Sequence, residues 1–315
     1  MKITRSLADH TPSSHPVLTI GNFDGQHLGH QALLLAVVKT ASVTRGTPLV
    51  LTFDPHPLTV LSPGVELRLL TTNEEKLERF QEAGIHEVLA LAFDRNFASL
   101  SPEEFVMRIL RDGLKVRELL VGENFAFGKG RAGRLADLVR LGETAGFRVH
   151  PVPPVSVGGL VVSSSRIRNL VQAGDVREAA RCLGRPYALS GTVVRGEQRG
   201  QVLGWPTANL RLPPGRVIPA DGVYATITGW KQQAFDSVSY IGTRPTFGPG
   251  ERLLEVSLLD QRLDLYGEDV AVRFVERLRG DLKCDSVEEL STHIERDVAL
   301  ARDILRTNSQ ARAEV

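Results

Sequence analysis

Two histidines three residues apart, His27 and His30, sit in the string Gly21-Asn22-Phe23-Asp24-Gly25-Gln26-His27-Leu28-Gly29-His30. On the first turn of a helix that spacing turns both rings to the same side. Two imidazoles so placed can donate hydrogen bonds to phosphate oxygens and stabilise charge developing at phosphorus. Gly21 and Gly25 let the backbone approach a ligand, and Gly29 leaves space for a nucleotide. The plain alternative for a histidine pair alone is an Asn-Asp loop cap with two surface rings.

Other residues offer related chemistry. Asp54, in Thr52-Phe53-Asp54-Pro55-His56-Pro57, brings a carboxylate for a metal ion or a ligand hydroxyl, or closes a turn. Phe125 and Phe127, in Gly122-Glu123-Asn124-Phe125-Ala126-Phe127-Gly128, either offer a stacking face to a flat ring or form a buried pair. Lys129, Arg131 and Arg134 follow as phosphate contacts or as a solvated face. Ser163, Ser164 and Ser165 lead into Arg168; hydroxyls at a helix start cap it or bind phosphate, and a guanidinium holds a polyphosphate bidentately. Farther on, Gly196, Gly200 and Gly204 suit a flap over phosphates. Thr207 and Asn209, two apart after Pro206 on an extended segment, turn both oxygens to one face. Mg²⁺ prefers such oxygen ligands, few of them from protein. Glu255 by itself reads as a solvated strand residue.

The elements that carry these groups fall into two kinds. Strand-like segments at Pro16–Ile20, Pro48–Phe53, Glu87–Phe93, Arg117–Val121 and Phe147–Val152 alternate with helical ones at Leu28–Ala41, Glu74–Ala83 and Leu135–Ala145. Ser101-Pro102-Glu103-Glu104 carries a helix-start signature. The alternation predicts an α/β fold with a parallel, doubly wound sheet, whose ligands sit at the carboxyl ends of the strands. Two short helices, from about Ser163 and from Asp175 to Leu183, precede Gly184-Arg185-Pro186, where a domain boundary is expected. Strands at Tyr187–Val194, Val223–Thr228, Phe235–Ile241, Leu253–Leu259 and Val270–Leu278 then predict an antiparallel barrel or sandwich. Ser286 and Glu289 form a capping box ahead of a closing amphipathic helix.

The chain has 315 residues, enough for two domains, and 38 basic against 37 acidic side chains, a net charge of +1. That balance disfavours a long polyanionic partner such as nucleic acid or tRNA. The longest apolar run, Ala32 to Val38, is far short of a membrane span, and no apolar signal core opens the chain. Cys182 and Cys284 supply neither a disulfide framework nor a thiolate zinc site. A cytoplasmic protein is expected; homo-oligomerisation stays open.

The ten-residue string at 21–30 resembles the GNFDGxHxGH signature of the bifunctional bacterial riboflavin kinase/FAD synthetases. Residues 52–57 resemble their TFDPHP, 122–128 their GxxFxFG flavin- and nucleotide-contacting loop, and 163–168 their SSTxxR, with Ser165 for Thr. Gly200-Gln201-Val202-Leu203-Gly204-Trp205-Pro206-Thr207-Ala208-Asn209 resembles the kinase signature GRxLGFPTAN. Asp221–Ala225, Ile241–Gly248 and Glu255–Gly267 resemble later kinase segments. The resemblance spans residues 16–305. It implies a Rossmann-like HxGH nucleotidyltransferase domain, 1–184, followed by a six-stranded antiparallel β-barrel riboflavin kinase domain with a C-terminal helix, 185–315. It implies two reactions: riboflavin plus ATP to FMN, then FMN plus ATP to FAD. His27, His30 and Arg168 would surround the phosphates. Gly21, Asn22, Phe23, Asp24, Gly25, Gly29 and Ser163–Ser165 would bind ATP. Phe53, Asp54, Asn124, Phe125 and Phe127 would meet the flavin. In the kinase, Gly196, Gly200, Gly204, Pro206, Thr207 and Asn209 would bind nucleotide, Thr207 and Asn209 would hold Mg²⁺, and Glu255 would act as general base. Gln201, Tyr240 and Ser257 stand where the family usually has Arg, Asn and His, which leaves an FAD synthetase with a weakened or regulatory barrel as the alternative.

Overall fold

A computed structural model describes residues 1–195, 205–243, 252–282 and 285–307. The chain divides into two compact units, Met1–Ser164 and Ser165–Val315. Gly196, Gly200, Gln201, Gly204 and Cys284 lie outside the described residues.

In the first unit β1 (Lys2–Thr4) and β2 (Pro16–Ile20) precede α1 (Leu28–Thr44) and β3 (Thr47–Phe53). Short α2 (Pro57–Leu61) leads to α3 (Asn73–Glu82), β4 (Glu87–Leu91), α4 (Arg95–Ala98) and α5 (Pro102–Glu104). Then come a π-helical stretch over Phe105–Gly113, β5 (Glu118–Gly122), α6 (Leu135–Ala145), β6 (Arg148–Val152) and a small hairpin of β7 (Ser156–Val157) with β8 (Leu160–Val161). Six strands make one parallel sheet in the order β1-β4-β3-β2-β5-β6. Alternating side chains feed two cores. Leu18, Leu49, Leu89 and Leu119 pack beneath the π-helical stretch and α6, and Val17, Val50, Val88 and Leu120 pack with α1 and α3. β1, with one apolar residue among three, is a strand that periodicity misses, as it misses the short β7 and β8 and the strand Ala208–Arg211; β1 pairs with Glu87–Leu89 at the sheet edge.

Connectivity runs outward in opposite directions from β2 and β5, which are hydrogen-bonded neighbours. That is the topological switch point of an open parallel sheet, where the loops leaving the carboxyl ends diverge and form a crevice. The 21–27 loop leaves β2 there and the 122–128 loop leaves β5.

The second unit opens with α7 (Ser164–Ala173), whose first residue closes the first unit, and α8 (Val176–Leu183). α8 packs on strands of the barrel, so it clusters with the second half rather than ending before it. The barrel is closed, in the order β10-β13-β12-β11-β14-β9, with every neighbouring pair antiparallel. Its strands are β9 (Tyr187–Val194), β10 (Ala208–Arg211), β11 (Gly222–Trp230), β12 (Gln233–Thr243), β13 (Arg252–Leu258) and β14 (Asp269–Arg279). β10, four residues long, lies in the extended segment that carries Thr207 and Asn209. The helix Val287–Thr307 covers the outer face at Ala225, Ile227 and Val275. Its start is half a capping box. Ser286 Oγ accepts from Glu289 N, but the Glu289 carboxylate accepts from Asp285 N.

Candidate functional sites

The loop after β2 is built to present two imidazoles. Phe23 and Gln26 take positive φ values of 54° and 38°, and Gly25 takes 79°, so the chain turns sharply before α1. Phe23 is fully buried and packs edge-on against Phe80 of α3, with ring centroids 5.2 Å apart. His27 is the N-cap of α1, and its Nδ1 accepts from His30 N at 3.3 Å. That contact leaves the proton of the neutral ring on Nε2, a donor. The His27 and His30 rings stack with centroids 3.7 Å apart and 17° between planes. Burial, and then the neighbouring His27, hold the His30 imidazole well below the usual histidine range, so it is neutral at pH 7. Its Nδ1 is buried with no hydrogen-bond partner among the described residues. A Cβ on Gly29 would stand 3.1 Å from His27 Cε1 and 3.2 Å from Nδ1, so only glycine leaves the stacked pair undisturbed.

Asp24 is nearly buried, and its carboxylate accepts from Leu70 N (2.9 Å), Thr71 N (3.1 Å) and Thr71 Oγ1 (3.3 Å). Those bonds make it the anchor of the loop. Ser164 Oγ donates to Asp24 O at 2.9 Å; Ser163 and Ser165 are exposed. Gln26 Nε2 donates to Lys76 O at 2.8 Å, tying α3 to the turn just before His27. Asp54, at the end of β3, accepts from Asn73 Nδ2 at 2.9 Å. The sequence gives no role to Lys76, Gln26 or Asn73. The available signal was a lysine four residues before Phe80, on the buried side of an amphipathic helix.

The aromatic pair takes two different places. Phe127 lies in the core, and its backbone exchanges hydrogen bonds with Gly133 at 3.1 and 3.0 Å. Phe125 is half-buried and nearly parallel to it, 15° between planes with centroids 5.8 Å apart, so it is the more accessible ring. Phe53 packs edge-on against Phe93 and Phe97, while Asn124 is exposed, as are Lys129, Arg131 and Arg134. Arg134 N donates to Asp137 Oδ2 and so starts α6. Arg168 lies on α7 in the second unit.

In the barrel, register brings the kinase candidates into one row. Asn209 faces Val194 on one side and Glu255 on the other, and Glu255 faces Tyr240. Directly opposed residues share a face. Glu255 is 7% exposed and Asn209 5%, while Ser257 follows two residues along the same face as Glu255. Pro206 and Thr207 line a cavity of about 380 Å³ at the barrel end, with Val193, Val256 and the 261–266 loop. Among the described residues no cluster of three or more His, Cys, Asp or Glu side chains could hold a metal ion, and no helix is long and apolar enough to cross a membrane.

Two family models match the chain, FAD synthetase over residues 9–166 and riboflavin kinase over 183–305. Among curated relatives, a bifunctional riboflavin kinase/FMN adenylyltransferase from Escherichia coli K12 is 37% identical over 96% of this chain and 97% of its own. One of the same description from Pseudomonas fluorescens is 41% identical, over 96% and 97%. A solved structure described as a macrolide-efflux protein from Streptococcus pneumoniae superposes with a TM-score of 0.87 at 32% identity, covering 95% of this chain and 98% of that one.

Proposed function

The chain belongs to the family of bifunctional riboflavin kinases/FMN adenylyltransferases, and from that membership we propose how its two reactions divide among the residues above. It phosphorylates riboflavin with ATP to FMN and adenylylates FMN with ATP to FAD, releasing pyrophosphate. The adenylyl transfer falls to the loop after β2. An FMN phosphate oxygen attacks the α-phosphorus of ATP, and the bond to pyrophosphate breaks. His27 Nε2–H and the His30 ring donate to phosphate oxygens as charge moves onto the leaving group. Both rings are pre-positioned, so catalysis is orientation plus electrostatics, with no covalent intermediate. Phe125 and Phe53 are assigned to the flavin ring, with Asp54 beside them. The observation that carries the assignment is the stacked imidazole pair 3.7 Å apart at the start of α1.

The kinase reaction falls to the row across β12, β13 and β10. Glu255 accepts the proton of the ribityl 5′-hydroxyl as that oxygen attacks the γ-phosphorus, and ADP leaves. The oxygens of Thr207 and Asn209 fit Mg²⁺ by donor type, with phosphate and water completing the set. Bound there, Mg²⁺ would neutralise charge on the phosphate being transferred. The glycines at 196, 200 and 204 keep their assignment to the nucleotide phosphates. Residues 1–184 are assigned to the transferase and 185–315 to the kinase, in the cytoplasm.

A chromatographic time course from riboflavin and Mg-ATP tests this reading: FMN appears first and FAD follows. Conversion of supplied FMN alone, with no phosphorylation of riboflavin, would leave an FAD synthetase with a flavin-binding barrel.

A further inference from the structure

Glu255 has a neighbour on each side. Asn209 faces it from β10 and Tyr240 from β12, each directly across a strand pair. Opposed residues on one face stand about 5 Å apart at their Cβ atoms. Asn209 belongs to the side given to Mg²⁺ and nucleotide in the kinase reading. In an in-line transfer the attacking oxygen approaches the γ-phosphorus opposite the leaving ADP. That leaves the β12 side, where Tyr240 stands, for riboflavin.

Tyr240 is fixed there by elements on both flanks. The row continues from Tyr240 to Val223 of β11 and on to Arg279 of β14. Arg279 Nε donates to both carboxylate oxygens of Asp297, at 3.1 and 3.0 Å, so the C-terminal helix holds the end of β14. Two residues on, Asp281 reaches back past β11. Its Oδ1 accepts from the Tyr240 hydroxyl at 3.2 Å and from Leu282 N at 3.1 Å. The far end of the phenol lies over Gly242, where a Cβ would collide with it. Tyr240 is half-buried, so part of its ring stays open on the face that carries Glu255. An aromatic ring so held offers a flat fused ring an offset-stacked partner.

We propose that Tyr240 is a specificity-determining residue for riboflavin phosphorylation: its ring holds the flavin ring beside Glu255, and the bond to Asp281 keeps it in place. The inference rests on the assignment of the kinase reaction to the Asn209–Glu255 row. It gives a use to the tyrosine that stands where the family usually has asparagine. The hydroxyl is engaged by Asp281, so it orients the ring and leaves proton transfer to Glu255.

The test measures FMN formation from riboflavin and Mg-ATP in wild type, Y240N, Y240F and D281A, with adenylylation of supplied FMN as the control on the same chain. Y240N removes the ring and should raise KM for riboflavin about tenfold, the scale of an aromatic pair together with its hydrogen bond. KM for ATP should stay unchanged and kcat should move less than KM. Y240F keeps the ring and should recover most of that loss, with KM for riboflavin about threefold above wild type. D281A should match Y240F, and the double variant should be no worse than either alone, because both break one bond. Adenylylation of FMN should not change. A KM for riboflavin less than twofold above wild type in folded Y240N, or a KM for ATP that rises with it, overturns the proposal. Should Y240N fail to fold, Y240F and D281A decide: KM for riboflavin unchanged in both, or rises that add in the double variant, overturns it. A wild-type chain that makes no FMN, or a phosphorylation rate that survives Glu255→Gln, would instead remove the kinase row itself.

Discussion

Gly29→Ala separates folding from chemistry. Gly29 lies in the first turn of α1 with helical backbone, so alanine suits the conformation and should add up to about 0.5–1 kcal/mol of helix stability. The added methyl meets the imidazole of His27 at 3.1 and 3.2 Å. Ordinary carbon contacts lie near 3.5–4.0 Å, so the ring must retreat by roughly 0.4 Å or more. It then slides against the His30 ring, and the 3.3 Å bond from His30 N to His27 Nδ1 stretches toward the limit of hydrogen bonding. The expected outcome is a melting temperature equal to or above wild type with kcat for FAD formation reduced about tenfold, since small misplacements of a phosphate-contacting group are costly. FMN formation, carried by the barrel, should not change. The assay is a chromatographic rate measurement with saturating FMN and Mg-ATP beside a calorimetric melt. A variant that melts normally and makes FAD at the full rate would refute the claim that the stacked pair acts on the reacting phosphates.

Three further outcomes follow from the same contacts. His30→Asn should abolish FAD formation and leave FMN formation measurable. It should also change the acid side of stability. The His30 pKa is depressed in the fold, so its contribution is fully present above the ordinary histidine value and is lost as pH falls from there toward the depressed one, where the unfolded chain takes a proton the folded chain refuses. Melting temperature against pH should accordingly fall less steeply in His30→Asn than in wild type below about pH 6.5; parallel curves would count against a buried neutral ring. Glu255→Gln should cut FMN formation about a hundredfold while supplied FMN is still adenylylated, and an unchanged phosphorylation rate would remove Glu255 from proton transfer. Asp24→Asn should weaken the anchoring of Leu70 and Thr71 by about 2 kcal/mol, read from the denaturant midpoint at which FAD synthesis is lost.

The elements were legible where their period was strong and their ends were marked. Ser101 and Glu104 make the full reciprocal cap that the Ser-Pro-Glu-Glu string predicts. The alternation in the first half pointed to a parallel sheet because its four central strands are apolar on both faces. Local pattern does not encode strand order, so it left the β2–β5 switch point unstated, and with it the reason why the His27 loop and the Phe125 loop share a crevice. It also missed β1, whose pairing with β4 spans more than eighty residues. At the site, the histidines were legible because adjacent residues on one turn carry them. Gln26 and Asn73 were not, since their bonds to Lys76 O and Asp54 Oδ2 cross 50 and 19 residues of chain. Phe125 and Phe127 differ in burial, and only Phe127 is bridged to Gly133, by a pair of backbone hydrogen bonds across six residues that a two-residue spacing cannot reveal.

The departures from the family pattern in the barrel acquire a physical sense from register. Tyr240 stands beside the proposed base, one strand over from Glu255. Its ring lies along β12 over Gly242, where a Cβ would collide with the phenol, and its hydroxyl donates to Asp281 Oδ1 at 3.2 Å. Ser257, on the same face, is smaller than the usual histidine, and its buried Oγ has no hydrogen-bond partner among the described residues. One side of the row has therefore gained an aromatic wall while the other has lost bulk, and Asn209 still faces Glu255 directly. On the proposed assignment, proton transfer depends on Glu255, with Asn209 as its neighbour across the strand pair. If Glu255 is the base as proposed, the altered positions beside it bear on how riboflavin is held and not on whether its proton has somewhere to go.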